Sequence, residues 1–480
     1  MKKIQYKIYT AAVAVILLSG SCSKQLNVYP TTSEVDGKVI TDLQSARTAL
    51  NGVYYRFANA GFDNNNNPSV LWVSVNENIP SELSGLFIYP YGGNEVSEHR
   101  YQSTSGVSTT VWKYGMNIVN AANGFMKNLA PVSGIPADTK KELESEAKFL
   151  RAYANFTLLA YFGQYDDPSS AYGIVLRTDF VTSDNISQPR SSVKEAYDLM
   201  LADLDEAIAG LPKENTANFY ASAGAAKLLK ARVLMLRNQP ADKDVVVSLC
   251  QNIIDESPYK LEASYKDLFW NRGLESSEVI LGIKPYTQDV YKYNDYLYYF
   301  SVTGSDLMLD LFKGDPRGRW IMSPIANPHL EGKMQVITKY SSTDVENPSA
   351  TPNSSVSYAM RLTEAYLLEA EALTESGGDL NTAKSLLKTV LSKSGVTDFT
   401  AIDAVKTAED LKVQIIKEEM RNFVGEAGQD WFAFRRLPFA TIQKMAPTIK
   451  TKELLVLPIP QDEINRNSGL KGMQNPGYGG

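Results

Sequence analysis

Residues 143–161, LESEAKFLRAYANFTLLAY, place Leu143, Ala147, Leu150, Ala154, Leu158 and Tyr161 at spacings of three and four. Only a helix of 3.6 residues per turn brings such a set onto one face, so this stretch predicts a helix buried along one side. Upstream, Val111, Tyr114, Ile118, Ala121 and Phe125 repeat the spacing, and a turn bounded by Pro131 and Pro136 separates the two stripes. Two long apolar faces joined by a short break bury each other most cheaply as an antiparallel pair.

Outward from that pair the pattern recurs. A second pair is predicted over 192–211 and 220–238, opened by Ser192 and Glu195 at capping-box spacing. Its first stripe is Tyr197, Leu201, Leu204, Ile208 and Leu211. A third pair is predicted over 356–376 and 380–394, broken at Gly377-Gly378 and restarted at Asp379, with Leu362, Tyr366, Ala370 and Leu373 facing Ala383, Leu387 and Val390. Another helical stretch runs from Thr41 to Ala58. Helix, break, helix with small residues at the contact is the signature of tetratricopeptide-like pairs. Here insertions at 164–191, 259–355 and 425–480 replace a strict repeat. The fold class expected is therefore mostly α, with helix pairs carrying long irregular loops.

The N-terminus sets the compartment. Lys2, Lys3 and Lys7 precede an apolar run from Ala11 to Leu18, and Ser19-Gly20-Ser21 leads into Cys22. A basic start, a short apolar core and small residues at the cut describe a secretory signal peptide over 1–21; a membrane-spanning helix needs ~20 apolar residues. The small-small-Cys ending resembles the lipobox of bacterial lipoproteins, with Ser19 where Leu is usual, and makes Cys22 the expected lipid attachment point. The only other cysteine, Cys250, lies in a helical pattern and reads as a small buried apolar residue, so no disulfide framework is expected. Removing 1–21 takes three lysines and no acid from a chain of net charge −6, leaving −9. Nucleic-acid binders are basic, so that class is excluded. Hydrophobic content of 44% and mean hydropathy of −0.23 suit a water-exposed body held by a lipid tether.

Several stretches in order resemble the SusD/RagB family. They begin with Leu26-Asn27-Val28-Tyr29-Pro30-Thr31-Thr32, Ala49-Leu50-Asn51-Gly52-Val53-Tyr54, and Trp112-Lys113-Tyr114 with Ile118, Ala122 and Asn123. Glu146 to Tyr153 through Phe162-Gly163 follows, then Tyr197 with Asp203-Leu204 and Ala207. Arg361-Leu362, Glu369 to Ala372, Arg421, Phe423, Gly425-Glu426, and Trp431 through Arg435-Arg436 continue the series. It closes on Leu457-Pro458-Ile459-Pro460, Glu463-Ile464 and Gln474 to Tyr478. The resemblance implies a single domain over 22–480, with a helical-pair part at about 40–258 and a loop-rich part at about 259–480. It also implies an outer-membrane lipoprotein that binds oligosaccharides at the cell surface and delivers them to a TonB-dependent porin. A peptide-binding or adhesive relative on the same scaffold, and a helical-array glycosidase, are the alternatives.

A sugar binder needs aromatic faces for pyranose C–H surfaces beside polar groups for hydroxyls. The densest segment holds Tyr286, Tyr291, Tyr293, Tyr296, Tyr298, Tyr299 and Phe300, interleaved with Lys292, Asn294 and Asp295. Part of it is expected to pack inward and part to bind. The irregular excursion at 61–106 adds Trp72, Tyr89, Tyr91 and Tyr101 near Asn76, Glu77, Asn78, Glu82 and Arg100, and Trp320 follows Gly314-Asp315-Pro316-Arg317-Gly318-Arg319. Of these, Trp72, Tyr89, Tyr91, Tyr291, Tyr293, Tyr296 and Trp320 are the ligand-binding candidates. Trp270 and Trp431 read as core.

Catalysis has little material. His99 and His329 are the only histidines, too few for a zinc hydrolase or a Ser-His-Asp triad, and no cofactor or metal is expected. Glu142, Glu144 and Glu146, and Glu364, Glu369 and Glu371, supply carboxylates at spacings that predict solvated helix faces. Arg421, Glu426, Arg435 and Arg436 are expected to tie the C-terminal segment to the last helices.

Overall fold

A computed structural model describes residues 39–58, 60–62, 68–256, 258–285, 291–326, 332–341 and 347–479. The leader, Cys22, the lead at 23–34, Tyr286 and His329 lie outside the described residues. The longer helices are α1 (Leu43–Ala58), α2 (Gly106–Leu129), α3 (Ala137–Phe162), α4 (Val193–Gly210), α5 (Ala223–Arg237) and α6 (Asp242–Glu256). A short α7 (Tyr291–Leu297) precedes α8 (Leu362–Glu375), α9 (Leu380–Lys393) and α10 (Ala408–Phe423). The described strands form antiparallel two-stranded ribbons. They are β1 (Ala60–Phe62) with β2 (Pro68–Val70), β3 (Phe87–Ile88) with β5 (Thr303–Gly304), β4 (Val279–Ile283) with β8 (Ser357–Arg361), and β6 (Met322–Ala326) with β7 (Lys333–Ile337).

The helices stack side by side in the order α2, α3, α4, α5, α6, α8, with α9 and α10 closing the array on α8. On α3 the six stripe residues are all buried, because α2 covers one flank and α4 the other. The α4 start is a capping box: Glu195 N–H donates to Ser192 Oγ at 3.2 Å, and Ser192 N–H donates to Glu195 Oε2 at 2.8 Å. At the α8–α9 break, Gly377 has φ +75°, a left-handed turn that costs a glycine little. Asp379 then accepts from the N–H groups of Asn381 and Thr382. Ala370 and Ala383 are fully buried where the two helices meet.

Two expectations are corrected, and one helix pairing is added to them. Residues 357–361 form strand β8, not the first turn of the third pair, and α8 starts at Leu362. Paired to β4, this strand buries all five of its residues. The α6 helix packs on α8, about a hundred residues further along the chain, so one pair is split by the 259–355 insertion. Finally, Glu146, Glu364, Glu369 and Glu371 are buried. Glu364 pairs with Arg232, Glu371 with Arg436, and Glu146 accepts from the Tyr54 hydroxyl; a charge run predicts solvent only where no partner is folded over it.

The C-terminal charges are structural, as expected. Arg436 bridges Glu371 of α8 and Glu419 of α10. Arg435 donates to the Ala160 and Leu455 carbonyls, tying the end of α3 to the tail. Arg421 donates to the Leu311 carbonyl. Glu426 accepts from Arg361 and Lys339. Cys250, Trp270 and Trp431 are buried. No helix among the described residues is long and apolar enough to cross a membrane.

Candidate ligand-binding surface

The β3–β5 ribbon joins two aromatic segments that are far apart in sequence. Phe87 pairs with Gly304 and Ile88 with Thr303, so the turn after β3 lies beside the chain that leaves α7. Helical spacing on α7 divides its side chains. Lys292 and Tyr296, four residues apart, point inward: the lysine Nζ donates to Glu77 at 2.9 Å and to the Val356 carbonyl at 2.9 Å, over the Tyr340 ring. Tyr296 donates to Glu77 Oε2 at 3.1 Å and stacks on Tyr340. The helix ends as Tyr298 and Tyr299 N–H groups both donate to the Asn294 carbonyl. Phe300 then takes φ +49° and returns the chain to β5.

That turn throws Tyr298 and Tyr299 outward, 71% and 57% exposed, in an edge-to-face pair at 5.1 Å. Tyr89 and Tyr91, 40% and 39% exposed, form a second such pair at 5.4 Å. The Tyr91 hydroxyl donates to the Tyr299 carbonyl at 3.1 Å and locks the two pairs together. Exposed Ile88 adjoins them in sequence. Four rings with open faces, anchored through a buried ion pair, form a rigid amphipathic surface.

The ground beneath is acidic but weakly charged. Burial pushes Glu82 up to about 7, with Asp295 nearby adding to the effect and Asn94 donating to it. Burial also raises Asp295, which accepts from Asn78 at 2.8 Å. Lys292 is pushed down to about 8 by burial, opposed by Glu77. Among the described residues no group of three or more His, Cys, Asp or Glu is placed to hold a metal ion.

Of the seven candidates, Tyr89 and Tyr91 face solvent. Tyr291 and Tyr293 are half-buried, and the Tyr293 hydroxyl donates to the Pro348 carbonyl at 3.1 Å. The other three are corrected. Trp72 is fully buried against Phe57 and Tyr153, with ring centroids at 5.2 and 6.1 Å. Tyr296 is buried for the helical reason just given. Trp320 is buried on Tyr265, Phe269 and Trp270. In each case the ring face that a ligand would use is already covered by the core. Tyr101, Asn76, Glu77 and Glu82 are likewise buried, so residues 71–87 of the excursion form a plug in the interior while 88–95 stay at the surface. Tyr298 and Tyr299, by contrast, stand out more than any named candidate. The signal was present: once Lys292 and Tyr296 are assigned to one helical face, rings just past the helix end fall outside it.

Residues 73–235 match the SusD-like family model described as starch-binding and associating with the outer membrane, and residues 331–446 match the SusD family model. The chain belongs to the SusD/RagB family. Solved SusD structures share its fold. A SusD superfamily protein from Bacteroides thetaiotaomicron is 20% identical, with 91% of this chain and 100% of that one covered and a TM-score of 0.72. One from Bacteroides vulgatus is 18% identical, with 92% and 100% covered and a TM-score of 0.73. A protein described as a laminarin-binding SusD-like protein is 19% identical, with 92% and 100% covered and a TM-score of 0.70. No curated protein matches the chain.

Proposed function

We propose that this SusD/RagB protein is a non-catalytic, lipid-anchored binding protein that captures an oligosaccharide on the tyrosine surface and passes it to a TonB-dependent outer-membrane porin. The observation that carries this reading is the joined set of open rings: Tyr298 and Tyr299 on one side, Tyr89 and Tyr91 on the other, linked by the Tyr91 hydroxyl. Stacked pyranose faces release water from both partners, and the phenol hydroxyls offer hydrogen bonds at the ring edges. The description of the family model that matches residues 73–235 and the laminarin-binding neighbour support a glycan as the cargo. Tethering through Cys22 would hold the protein at the outer membrane, facing outward, where a porin partner could receive what the surface collects.

The test uses the soluble chain from residue 23, wild type and Tyr298→Ala/Tyr299→Ala, titrated calorimetrically with a panel of oligosaccharides. Each stacking ring is worth roughly 0.5–1.5 kcal/mol beyond its area, so the double variant should bind about 5- to 150-fold more weakly with an unchanged melting transition. Equal affinity would remove the tyrosines from the site, and hydrolysis of a bound glycan would overturn the non-catalytic reading. The full chain, extracted gently from its host, should bring down a large β-barrel in near-equal amount. Cys22→Ala should lose fatty-acid labelling.

A further inference from the structure

Three recesses, of ≈ 440, 130 and 230 Å³, adjoin one another on a different part of the molecule, and Tyr220 lines all three. They lie around the loop joining α4 to α5, where it meets α1 and α3 on one side and β4 with the segment before it on the other. That loop, residues 211–222, has neither helix nor strand, yet it is fastened at many points. The Asn215 side-chain amide donates to the Ala221 carbonyl at 2.7 Å. The Asn218 side chain donates to the Leu274 carbonyl, while its own carbonyl accepts from Gly282 N–H at 2.7 Å. The Tyr220 hydroxyl donates to Asn51 Oδ1 at 3.0 Å, and Ala221 N–H donates to the Tyr54 hydroxyl at 2.8 Å.

A loop pinned in this way could have turned its aromatics inward. It does not. Phe219 and Tyr220 are only half-buried, their centroids 4.9 Å apart, and Tyr55 of α1 stands 42% exposed in the same wall. Holding three large rings at an open recess forgoes part of the burial each could have had. Polar groups stand among them: Asn51 and Asn215, held by hydrogen bonds, Arg47 and Glu142 in the adjoining recess, and Lys284 over the Phe219 ring. Arg47 and Lys284 stand at the rims against Glu142, Glu214 and Glu275, so an anion is disfavoured and carboxylates are at hand to accept from hydroxyls. Aromatic faces interleaved with amides and hydroxyl-accepting carboxylates, in a shallow recess, suit a neutral sugar ring.

We propose that the recesses around Tyr220 form a second sugar-binding site, which takes a neutral pyranose unit by stacking on Phe219 and Tyr55 with hydrogen bonds to Asn51. This goes beyond the tyrosine surface at 89–91 and 298–299 and stands on separate residues. With two sites, a single chain would hold a long glycan at two points or two glycans at once, and effective concentration would raise the avidity for polymers over short fragments.

Saturation-transfer difference spectroscopy on the full mature chain tests this, with methyl β-D-glucopyranoside and maltoheptaose as probes. Four proteins are compared: wild type, Tyr298→Ala/Tyr299→Ala, Tyr55→Ala/Phe219→Ala, and the quadruple variant. Tyr55 and Phe219 make no side-chain hydrogen bonds that the loop needs, so folding should be retained; circular dichroism checks it. The inference expects the surface variant to keep a saturable signal and the quadruple variant to lose it. Loss of all signal in the surface variant would overturn the second site and leave the first reading intact. Unchanged signal in the surface variant with complete loss in Tyr55→Ala/Phe219→Ala would instead support the recess and sink the first reading. Signal that survives all four changes, or a wild type that gives none, would overturn the second site.

Discussion

Glu426→Gln is the substitution with the clearest arithmetic. Glu426, 1% exposed, lies between two cations: Arg361 Nε donates to it at 2.8 Å, and Lys339 pairs with its other oxygen. Arg361 has a second acid, Glu278 at 2.9 Å, and the Asn422 carbonyl at 2.9 Å. Without Glu426, Lys339 keeps, among the described residues, the Val424 and Asn422 carbonyls at 2.8 and 3.2 Å and the face of the Phe269 ring. The change therefore leaves two buried cations against one acid. Removing one member of a buried pair costs about 3–5 kcal/mol, and Gln, which keeps the shape and one acceptor, should fall near 3. The loss should depend on pH in a defined direction. Burial already holds Lys339 down at about 8, against ~10.4 when unfolded. The unfolded chain thus binds more protons across that interval, and stability rises with pH within it. Losing Glu426 lowers the folded value further, so the variant's gain begins at lower pH. Between pH 7 and 9 the gap to wild type should narrow by about 1 kcal/mol. Urea unfolding of both proteins, followed by circular dichroism at the two pH values, measures this. A deficit under ~1 kcal/mol at pH 7, or a gap that widens at pH 9, would refute the charge-balance reasoning.

Trp72→Ala should cost about 3–5 kcal/mol in stability, because the ring fills the space between Phe57 and Tyr153; Tyr298→Ala, at an exposed ring, should leave the melting temperature within a degree or two. Glu82, Glu146 and Asp430 are each raised to about 7 by burial, so the folded chain keeps protons that the unfolded chain has released above about 4. Their contribution falls as pH rises from about 4 to 7; His99, pushed down to about 4 by burial, opposes it by losing stability as pH falls through that range. With the acids in the majority, the melting temperature should be higher at pH 5.5 than at 7.5, and Asp430→Asn should shrink the difference; a lower value at pH 5.5 would contradict this. Cys250 is buried and its thiol raised by burial, so a chain starting at residue 23 should react with a thiol reagent only after denaturation. Rapid labelling of the native protein would show that α6 opens readily from α8.

By itself the sequence determined the helices, because their signal is local. The stripe on α3, the capping box at Ser192 and the glycine break at 377–378 each depend on neighbours within a few residues, where chain geometry alone decides which side chains share a face. The ordered family-like stretches determined the kinship for the same reason: they are read along the chain. Only the tertiary structure decided which aromatics stay open. Trp72, Tyr296 and Trp320 look like Tyr89 and Tyr299 in one dimension, and their burial depends on Tyr153, Glu77 and Trp270, residues 50 to 219 positions away. It also decided that α6 would find its partner in α8, and that Glu364 and Glu371 would meet Arg232 and Arg436 instead of water. Burial is a property of what folds over a residue from elsewhere in the chain, and a helical period carries no information about that cover.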